Sequence, residues 1–319
     1  MKYSILDIDS VECIEPFNNE YVYDVEMDTD EHTFFANDIL VHNSVYLSLS
    51  ELFTAKQLEF VKNGKLTKDA YKYAEELNDA LNKGIKQYVE TETNSKDCRI
   101  EFKREIIADS VFPLAKKRYV AHVLDDEGIA CNKWKYTGVD VVRTSMPKAI
   151  KPHVKKIIET MISTKQQNDT NNVLMEVYEK FNNLPIVDIA KTSNISNYDK
   201  YASQCVEFNT VKRMPNHVKA AYYYNILLDK LNLKHKYEPI TSGDKIKYMY
   251  LENPNKFNIE CIAFKYEYPS EFQEFFKPDK EKMFEKIVYA AIKHFYDAAK
   301  WCLRKPSDAL TVDIFQLFS

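Results

Sequence analysis

The chain has 319 residues, 45 % of them hydrophobic and 29 % charged, with a formal net charge of −4. That length and apolar content admit two or three domains with sizeable cores and exclude a disordered chain. Only five glycines occur, with no P-loop or dinucleotide fingerprint, and the six cysteines are scattered without a C-x-x-C pair, which argues against a zinc site or a disulfide scaffold.

No run is long and apolar enough to span a membrane. Residues 1–10 lack the basic start and apolar stretch of a signal peptide, so the expected location is soluble and cytoplasmic. The charge is unevenly spread. Six Asp, five Glu and one Lys give residues 1–43 a net charge of −10, against −4 for the whole chain, which leaves +6 on residues 44–319. An acidic head on a basic body predicts different partners for the two parts.

In the head, residues 21–27 alternate. Tyr21, Tyr23, Val25 and Met27 face one way, and Val22, Asp24 and Glu26 the other, as in a strand with one buried face. A polar turn follows at 28–31. Thr33-Phe34-Phe35 and Ile39-Leu40-Val41 are further short strands, separated by the turn Asn37-Asp38. About forty residues cannot close a stable core alone, so these strands need partner strands.

The head ends in His42-Asn43, and Ser44 follows. An Asn side-chain amide can attack its own backbone carbonyl, form a succinimide and cut the bond that follows it. The step needs the leaving amine protonated and the carbonyl polarised, which an adjacent imidazole can do near neutral pH. A serine hydroxyl can accept an acyl group once a base or a preorganised site activates it. Tyr21-Val22-Tyr23-Asp24-Val25, His32-Thr33-Phe34-Phe35-Ala36-Asn37-Asp38 and Ile39-Leu40-Val41-His42-Asn43 together resemble the two C-terminal splicing blocks of inteins. The resemblance implies a C-terminal split-intein (Hint-type) fragment over residues 1–43, with no N-terminal splicing blocks ahead of it. Asn43 would be the cyclising residue and His42 its penultimate helper. Asp24 and His32 would be the acid and the histidine of the upstream block, and Ser44 the acyl acceptor.

Beyond the junction, residues 44–50 predict a strand with Val45, Leu47 and Leu49 on one face. A helix follows, with Ala70, Tyr73, Ala74, Leu77, Leu81, Ile85 and Tyr88 at three- and four-residue spacing and Thr67 as its N-cap. Residues 99–107 and 118–124 predict strands, the second running into the turn Asp125-Asp126-Glu127-Gly128. This is an α+β pattern. Three segments resemble family B DNA polymerases, most closely those of T-even-type phages. Ser44-Val45-Tyr46 is similar to the end of the palm motif Tyr-Gly-Asp-Thr-Asp-Ser-Val-Tyr. Lys116-Lys117-Arg118-Tyr119 is similar to the Lys-Lys-Arg-Tyr motif, here expected at a strand start after Pro113. Thr144-Ser145-Met146-Pro147-Lys148-Ala149 is similar to the segment that opens the thumb.

Where that family has Asp-Thr-Asp before the serine, this chain has Val41-His42-Asn43. Two-metal phosphoryl transfer needs carboxylates to hold Mg²⁺. The resemblance therefore implies no metal ligands in this chain. It implies instead a partner polypeptide, carrying the N-terminal intein piece, whose end supplies Asp-Thr-Asp. Glu105 matches a palm glutamate near the metals, although Lys103 stands where the family has Asp. Lys116, Lys117, Arg118 and Tyr119 would hold primer–template DNA, the lysines through minor-groove acceptors that all correct base pairs share.

Residues 143–319 predict mostly helix. Pro147 suits a first helical turn, and Ile150, Val154, Ile157, Ile158, Met161 and Ile162 make an apolar stripe. Further helices are expected at 173–181, 218–231 and 283–303, with irregular chain at 182–216 and 232–270. Ser145, Lys148, Lys151, His217 and Lys219 are candidates for DNA-backbone contacts. The terminus is unusually apolar. Ile314, Phe315, Leu317 and Phe318 resemble the phage polymerases' tail that docks on a sliding clamp.

The expected organisation is a Hint-type β segment at 1–43, an α+β palm portion at 44–142, a mostly helical thumb at 143–309 and a clamp-binding tail at 310–319. The expected function is the C-terminal part of a split family B DNA polymerase, completed by trans-splicing and using deoxynucleotides and Mg²⁺. The rival expectation is an inert intein remnant on a non-covalent polymerase subunit or a DNA- or clamp-binding module.

Overall fold

The structure, a computed structural model, describes residues 22–26, 33–36, 39–42, 47–92, 98 and 100–305; for residues 22–42 and Glu92 within these ranges it describes the backbone alone. The chain divides into two compact units at the Gly138–Val139 bond. Both contain helices and antiparallel sheet, so the chain is α+β.

The first unit begins with three short strands where the alternation of the head predicts them: β1 (Val22–Glu26), β2 (Thr33–Ala36) and β3 (Ile39–His42). β2 and β3 form an antiparallel hairpin from Thr33 opposite His42 to Ala36 opposite Ile39. β1 joins another sheet, described below.

The strand expected over residues 44–50 is not found in its described part. Residues 47–49 are irregular, and Ser50 opens helix α1 (Ser50–Lys56). The Ser48 hydroxyl accepts the Ser50 N–H at 3.3 Å, a local bond that competes with a ladder. A small hairpin of β4 (Val61–Lys62) and β5 (Lys65–Leu66) follows. Asn63 and Gly64 turn it with φ of 52° and 72°, the left-handed pair that a two-residue hairpin requires.

Helix α2 (Lys68–Glu92) carries the predicted apolar stripe. Thr67 caps it, its Oγ1 accepting the Ala70 N–H at 3.2 Å. Ala70 and Ala74 are fully buried, in a cluster with Leu49, Phe53, Phe60 and Ile107. Phe53 meets Phe60 edge-to-face at 5.1 Å. Asn82 staples α2 to the following chain: its Oδ1 accepts the Phe102 N–H at 2.7 Å, and its Nδ2 donates to the Phe102 carbonyl at 2.9 Å.

Strands β6 (Lys103–Ala115), β7 (Arg118–Asp126) and β8 (Ile129–Thr137) form an antiparallel meander, and β1 lies on the outer edge of β6. β6 starts later and runs further than the expected strand at 99–107. Pro113 lies within it, and the strand expected to start after Pro113 is β7, which opens at Arg118. A proline gives no N–H to a ladder, and this one sits where the β6–β7 register slips and beyond the reach of β1, whose pairing stops at Ala108. Asp125 and Asp126, expected in a turn, continue β7. The turn is Glu127-Gly128 alone, with φ of 52° and 86°.

A buried ion pair ties these elements together. Asp125 is fully buried. Its Oδ1 accepts the Gly128 N–H at 3.0 Å and an Arg104 Nη1–H. Arg104 also donates from Nε to Glu75 of α2 at 3.0 Å.

The second unit is helical as expected, with one addition. A 3₁₀ turn (Asp140–Val142) leads to α3 (Lys151–Thr164) and α4 (Gln167–Asn183). Pro147, expected in the first turn of α3, precedes it and caps the approach, its carbonyl accepting N–H groups from Ile150 and Lys151. The first turn of α3 holds Pro152 instead. Val154, Ile157, Ile158 and Met161 face the core, where α3 packs on α4.

The segments expected to be irregular hold α5 (Ile186–Ile189), β9 (Lys191–Asn194), α6 (Tyr198–Ala202), β10 (Lys245–Tyr250) and β11 (Cys261–Phe264), with α7 (Asn216–Lys230) between α6 and β10. The three strands form one antiparallel sheet in the order β11-β10-β9, and α7 packs on β11. Cys261, Ile262, Ala263 and Phe264 are all buried, so a run this short has no alternation to mark it as a strand. The last helix runs through α8 (Lys280–Phe284), a π turn (Glu285–Tyr289) and α9 (Ala290–Ala298). It ends before the expected Leu303, where Lys300 turns left-handed with φ of 57°.

Removing one partner of a buried pair leaves the other charge uncompensated. Asp125→Ala, which leaves Arg104, at 11 % exposure, with the solvent-facing Glu75 as its remaining carboxylate, is expected to destabilise the first unit by about 3 kcal/mol, read from urea unfolding of the full chain. A midpoint within error of the parent would remove Asp125 from the core of the account.

Candidate functional site

The motif Lys116-Lys117-Arg118-Tyr119 lies at the tip of the β6–β7 hairpin. Ala115 and Arg118 are the closing pair, and Lys117 turns the chain with φ of 60°. Lys116 and Lys117 are exposed at the tip, and Arg118 is half-buried. Tyr119 is 7 % exposed and packs with Ile106, Ala108, Ala121 and Val123, opposite Pro113 on one side and Thr137 on the other. The first two residues therefore offer charge to solvent, while Tyr119 secures the hairpin in the sheet.

Gly138 supports this tip. Its φ is +62°, and a Cβ placed there would lie 2.1 Å from the Lys117 carbonyl oxygen. Arg118 Nε donates to the Gly138 carbonyl at 3.2 Å. Only a residue without a side chain allows this approach of two backbones. Gly138 carries no local sequence signal beyond being a glycine in a glycine-poor chain.

At the other end of β6 lies a cleft of about 480 Å³, lined by Glu75, Asn78 and residues 101–105 together with Glu127. The Glu105 carboxylate accepts an Nζ–H from Lys135 of β8, and the Glu105 backbone carbonyl accepts the Glu127 N–H at 2.6 Å. Lys103 is exposed and 4.0 Å from Glu101. Glu75 is answered by Arg104. Among the described residues no three His, Cys, Asp or Glu side chains converge as a metal site. Three of the four carboxylates lining the cleft, those of Glu75, Glu101 and Glu105, are matched by cations, so a two-Mg²⁺ centre does not fit this set alone. Lys135 and Arg104, which do the matching, were not singled out by sequence, because their partners lie about 20 to 30 positions away along the chain.

In the second unit, Ser145 and Lys148 are exposed in the turn before α3. Lys151 donates to the Val142 carbonyl at 3.3 Å. His217 and Lys219 occupy the first turn of α7 and are turned to protein. His217 is half-buried beside Tyr248, and burial lowers its pKa from the usual 6.5. Lys219 is paired with Glu260 at 2.7 Å. Asn43, Ser44 and His32, and the tail residues Ile314, Phe315, Leu317 and Phe318, lie outside the described residues. Asp24 falls on β1 and His42 on β3, with backbone alone described.

Comparison with protein families matches residues 69–297 to DNA polymerase family B. The chain belongs to that family. The match runs from the first turn of α2 to α9 and so takes in both units, the Lys116-Lys117 tip and the Glu105 cleft. It includes neither the acidic head nor the apolar tail. No curated protein matches the chain. Membership of family B makes this a DNA-polymerase-type protein, of a family whose substrates are template DNA and deoxynucleotides. No helix among the described residues is long and apolar enough to cross a membrane.

Two histidines of the second unit set an acid limit on its stability. Burial lowers the pKa of His153, with Lys180 and Lys156 adding to the effect, and burial lowers that of His217. As pH falls through 6.5 the unfolded imidazoles bind protons before the folded ones. Stability is therefore complete above 6.5 and declines below it. The thermal midpoint is expected to fall between pH 7.5 and pH 5.5, and less steeply in His153→Gln/His217→Gln. Equal slopes in variant and parent would show that these two groups do not set the decline.

Proposed function

We propose that this chain is the C-terminal part of a split, T-even-phage-type family B DNA polymerase, and that its catalytic acids arrive on a separate N-terminal polypeptide. The observation that carries the reading is a mismatch. A family B chain keeps Glu105 paired with Lys135 and brings no cluster of acids together among its described residues. Its sequence has Val41-His42-Asn43 where the family resemblance implies Asp-Thr-Asp.

On this reading residues 1–43 are the C-terminal split-intein fragment, 44–142 the palm portion, 143–309 the thumb and 310–319 a sliding-clamp tail. The Asn43 side-chain amide attacks its own carbonyl, and the Asn43–Ser44 bond breaks. His42 and His32 assist that step and Asp24 supports it. The step follows transfer of the partner's acyl group to the Ser44 hydroxyl from an ester or thioester at the head of the partner's intein piece, whose hydroxyl or thiol leaves with the proton. The Ser44 amine that the cyclisation frees then takes the acyl group from the Ser44 oxygen. The new bond places the partner's Asp-Thr-Asp directly ahead of Ser44. Mg²⁺ would be held by those acids, with Glu105 in support, and the joined protein would work in the cytoplasm of the host cell.

The body supplies the grip on primer–template DNA. Lys116 and Lys117 are exposed at the tip of the β6–β7 hairpin, and Ser145 and Lys148 are exposed in the second unit. Lys219 and His217 act as positioning residues at the start of α7, since the first is already paired and the second is half-buried.

The joined protein is expected to extend a primed template, whereas this chain alone binds the template without extending it. Replacing Lys116 and Lys117 by Ala should flatten the slope of log K against log salt by about 2, close to 0.9 for each phosphate no longer neutralised. Extension by this chain alone would overturn the split-site reading, and an unchanged salt slope would move the DNA grip away from the hairpin tip.

A further inference from the structure

Three half-buried phenylalanines of the second unit come from three separate loops and meet in one row. The ring centroid of Phe208 lies 5.3 Å from that of Phe257, which lies 5.6 Å from that of Phe275. Each ring is placed by its own backbone. Phe208 sits in a tight turn closed by two hydrogen bonds between Val206 and Asn209, of 3.1 and 2.9 Å, with Glu207 left-handed at a φ of 48°. The Asn255 side chain fixes the loop of Phe257. Its Oδ1 accepts the Phe257 and Ile259 N–H groups at 3.3 and 3.2 Å, and its Nδ2 donates to the Glu252 and Ile259 carbonyls at 2.9 and 2.7 Å. Phe275 closes the 3₁₀ turn Ser270–Glu274, its N–H bonded to the Phe272 carbonyl at 3.1 Å. Phe272 and Phe276 beside it are buried. The row is therefore where an aromatic core comes to the surface.

Lysines lie over this row. Lys230 Nζ is 4.8 Å from the centroid of Phe208, and Lys256 Nζ is 4.2 Å from that of Phe275 and 5.7 Å from that of Phe257. Both lysines are exposed. An ammonium keeps its head in water, so the ring faces beneath it look towards solvent. Lys230 is shared with Glu207 at 3.4 Å, whereas Lys256 has no carboxylate partner among the described residues.

Aromatic faces interleaved with cations suit unpaired nucleotides. A base stacks on the ring, and the displaced ammonium turns to the phosphate. In a duplex the bases stack on one another and offer no face to such a ring. The ring planes cross at 40° between Phe208 and Phe257 and at 86° between Phe257 and Phe275. Rings so inclined cannot continue a helical stack, and they fit bases splayed apart on a bent strand. An apolar protein segment would displace the same ammonium groups without giving them an anion.

We infer that Phe208, Phe257 and Phe275, with Lys230 and Lys256, form a binding site for a short stretch of single-stranded DNA, taken without regard to sequence. These are other residues than the duplex grip proposed for Lys116 and Lys117. The inference rests on membership of a DNA polymerase family and is independent of the split catalytic site.

The test is fluorescence anisotropy of the full chain with a labelled oligo(dT) of about 12 nucleotides, against a blunt duplex of the same length. Phe208→Leu/Phe275→Leu keeps apolar side chains and removes two ring faces. It should weaken oligo(dT) at least about tenfold with an unchanged salt slope, and leave duplex affinity within about twofold. Lys256→Glu, at an exposed position that asks nothing of the core, should weaken oligo(dT) about fivefold as well. A duplex with a 5′ template overhang and one with a displaced flap then assign the strand, by which of them loses affinity in the variants. Unchanged oligo(dT) affinity in either variant would overturn the site, and so would an equal loss on the blunt duplex or a loss on neither branched substrate. A parent chain that binds duplex but no oligo(dT) would also overturn it, and would leave the hairpin grip standing.

Discussion

Strand β6 is held by β7 along almost its whole length, from Ile106 opposite Asp126 to Ala115 opposite Arg118. That one antiparallel ladder positions both functional ends of the first unit. At one end it closes as the hairpin that lifts Lys116 and Lys117 into solvent, with Gly138 allowing the tip to sit against the neighbouring backbone. At the other it sets Glu105 at the cleft, within reach of Lys135 from β8. The Arg104–Asp125 pair crosses from β6 to β7, and Arg104 reaches on to Glu75, so α2 is tied to the same ladder. Because antiparallel pairing alternates faces strictly, a slip of one residue would turn Tyr119 out of the core and Glu105 away from Lys135. The bulges in β6 are where the chain absorbs Pro113 without such a slip.

The electrostatics divide the labour. The cleft carries acids, but each described pair is already balanced: Glu75 by Arg104, Glu105 by Lys135, Glu101 by Lys103. The hairpin tip and the turn before α3 present cations. A surface of this kind attracts a polyanion and does not itself concentrate divalent metal ions. That arrangement suits the DNA-binding role of a family B polymerase.

Much of this was legible in the sequence where a local rule governs. The period of α2, its Thr67 cap, the stripe of α3 and the three short strands of the head all follow from spacing alone. The family was legible from short motifs, Lys116-Lys117-Arg118-Tyr119 above all. What was not legible depends on distant partners. β11 is apolar on every residue and too short to show a period, so the sheet of the second unit went unread, and with it the shape of the region between α7 and α8. Residues 47–49 have a strand's alternation, but the Ser48 hydroxyl binds the next turn's N–H instead. The salt links of Glu105 and Lys219 set what those residues can contact, and their partners lie 30 and 41 positions away. The side chains proposed for splicing and clamp docking were read from sequence and resemblance, and they stand on that footing.

The claim on which the rest turns is that another polypeptide completes this chain at Ser44. Intact mass, measured after the full chain is mixed under reducing conditions with an N-terminal fragment ending in Asp-Thr-Asp and its intein piece, addresses it directly. The account predicts a covalent product in which residues 44–319 are joined to the partner, free residues 1–43, and no joined product from Asn43→Ala. A chain that keeps its mass of 37.4 kDa while the two proteins associate would contradict it, and would leave a subunit that meets its partner without a new bond.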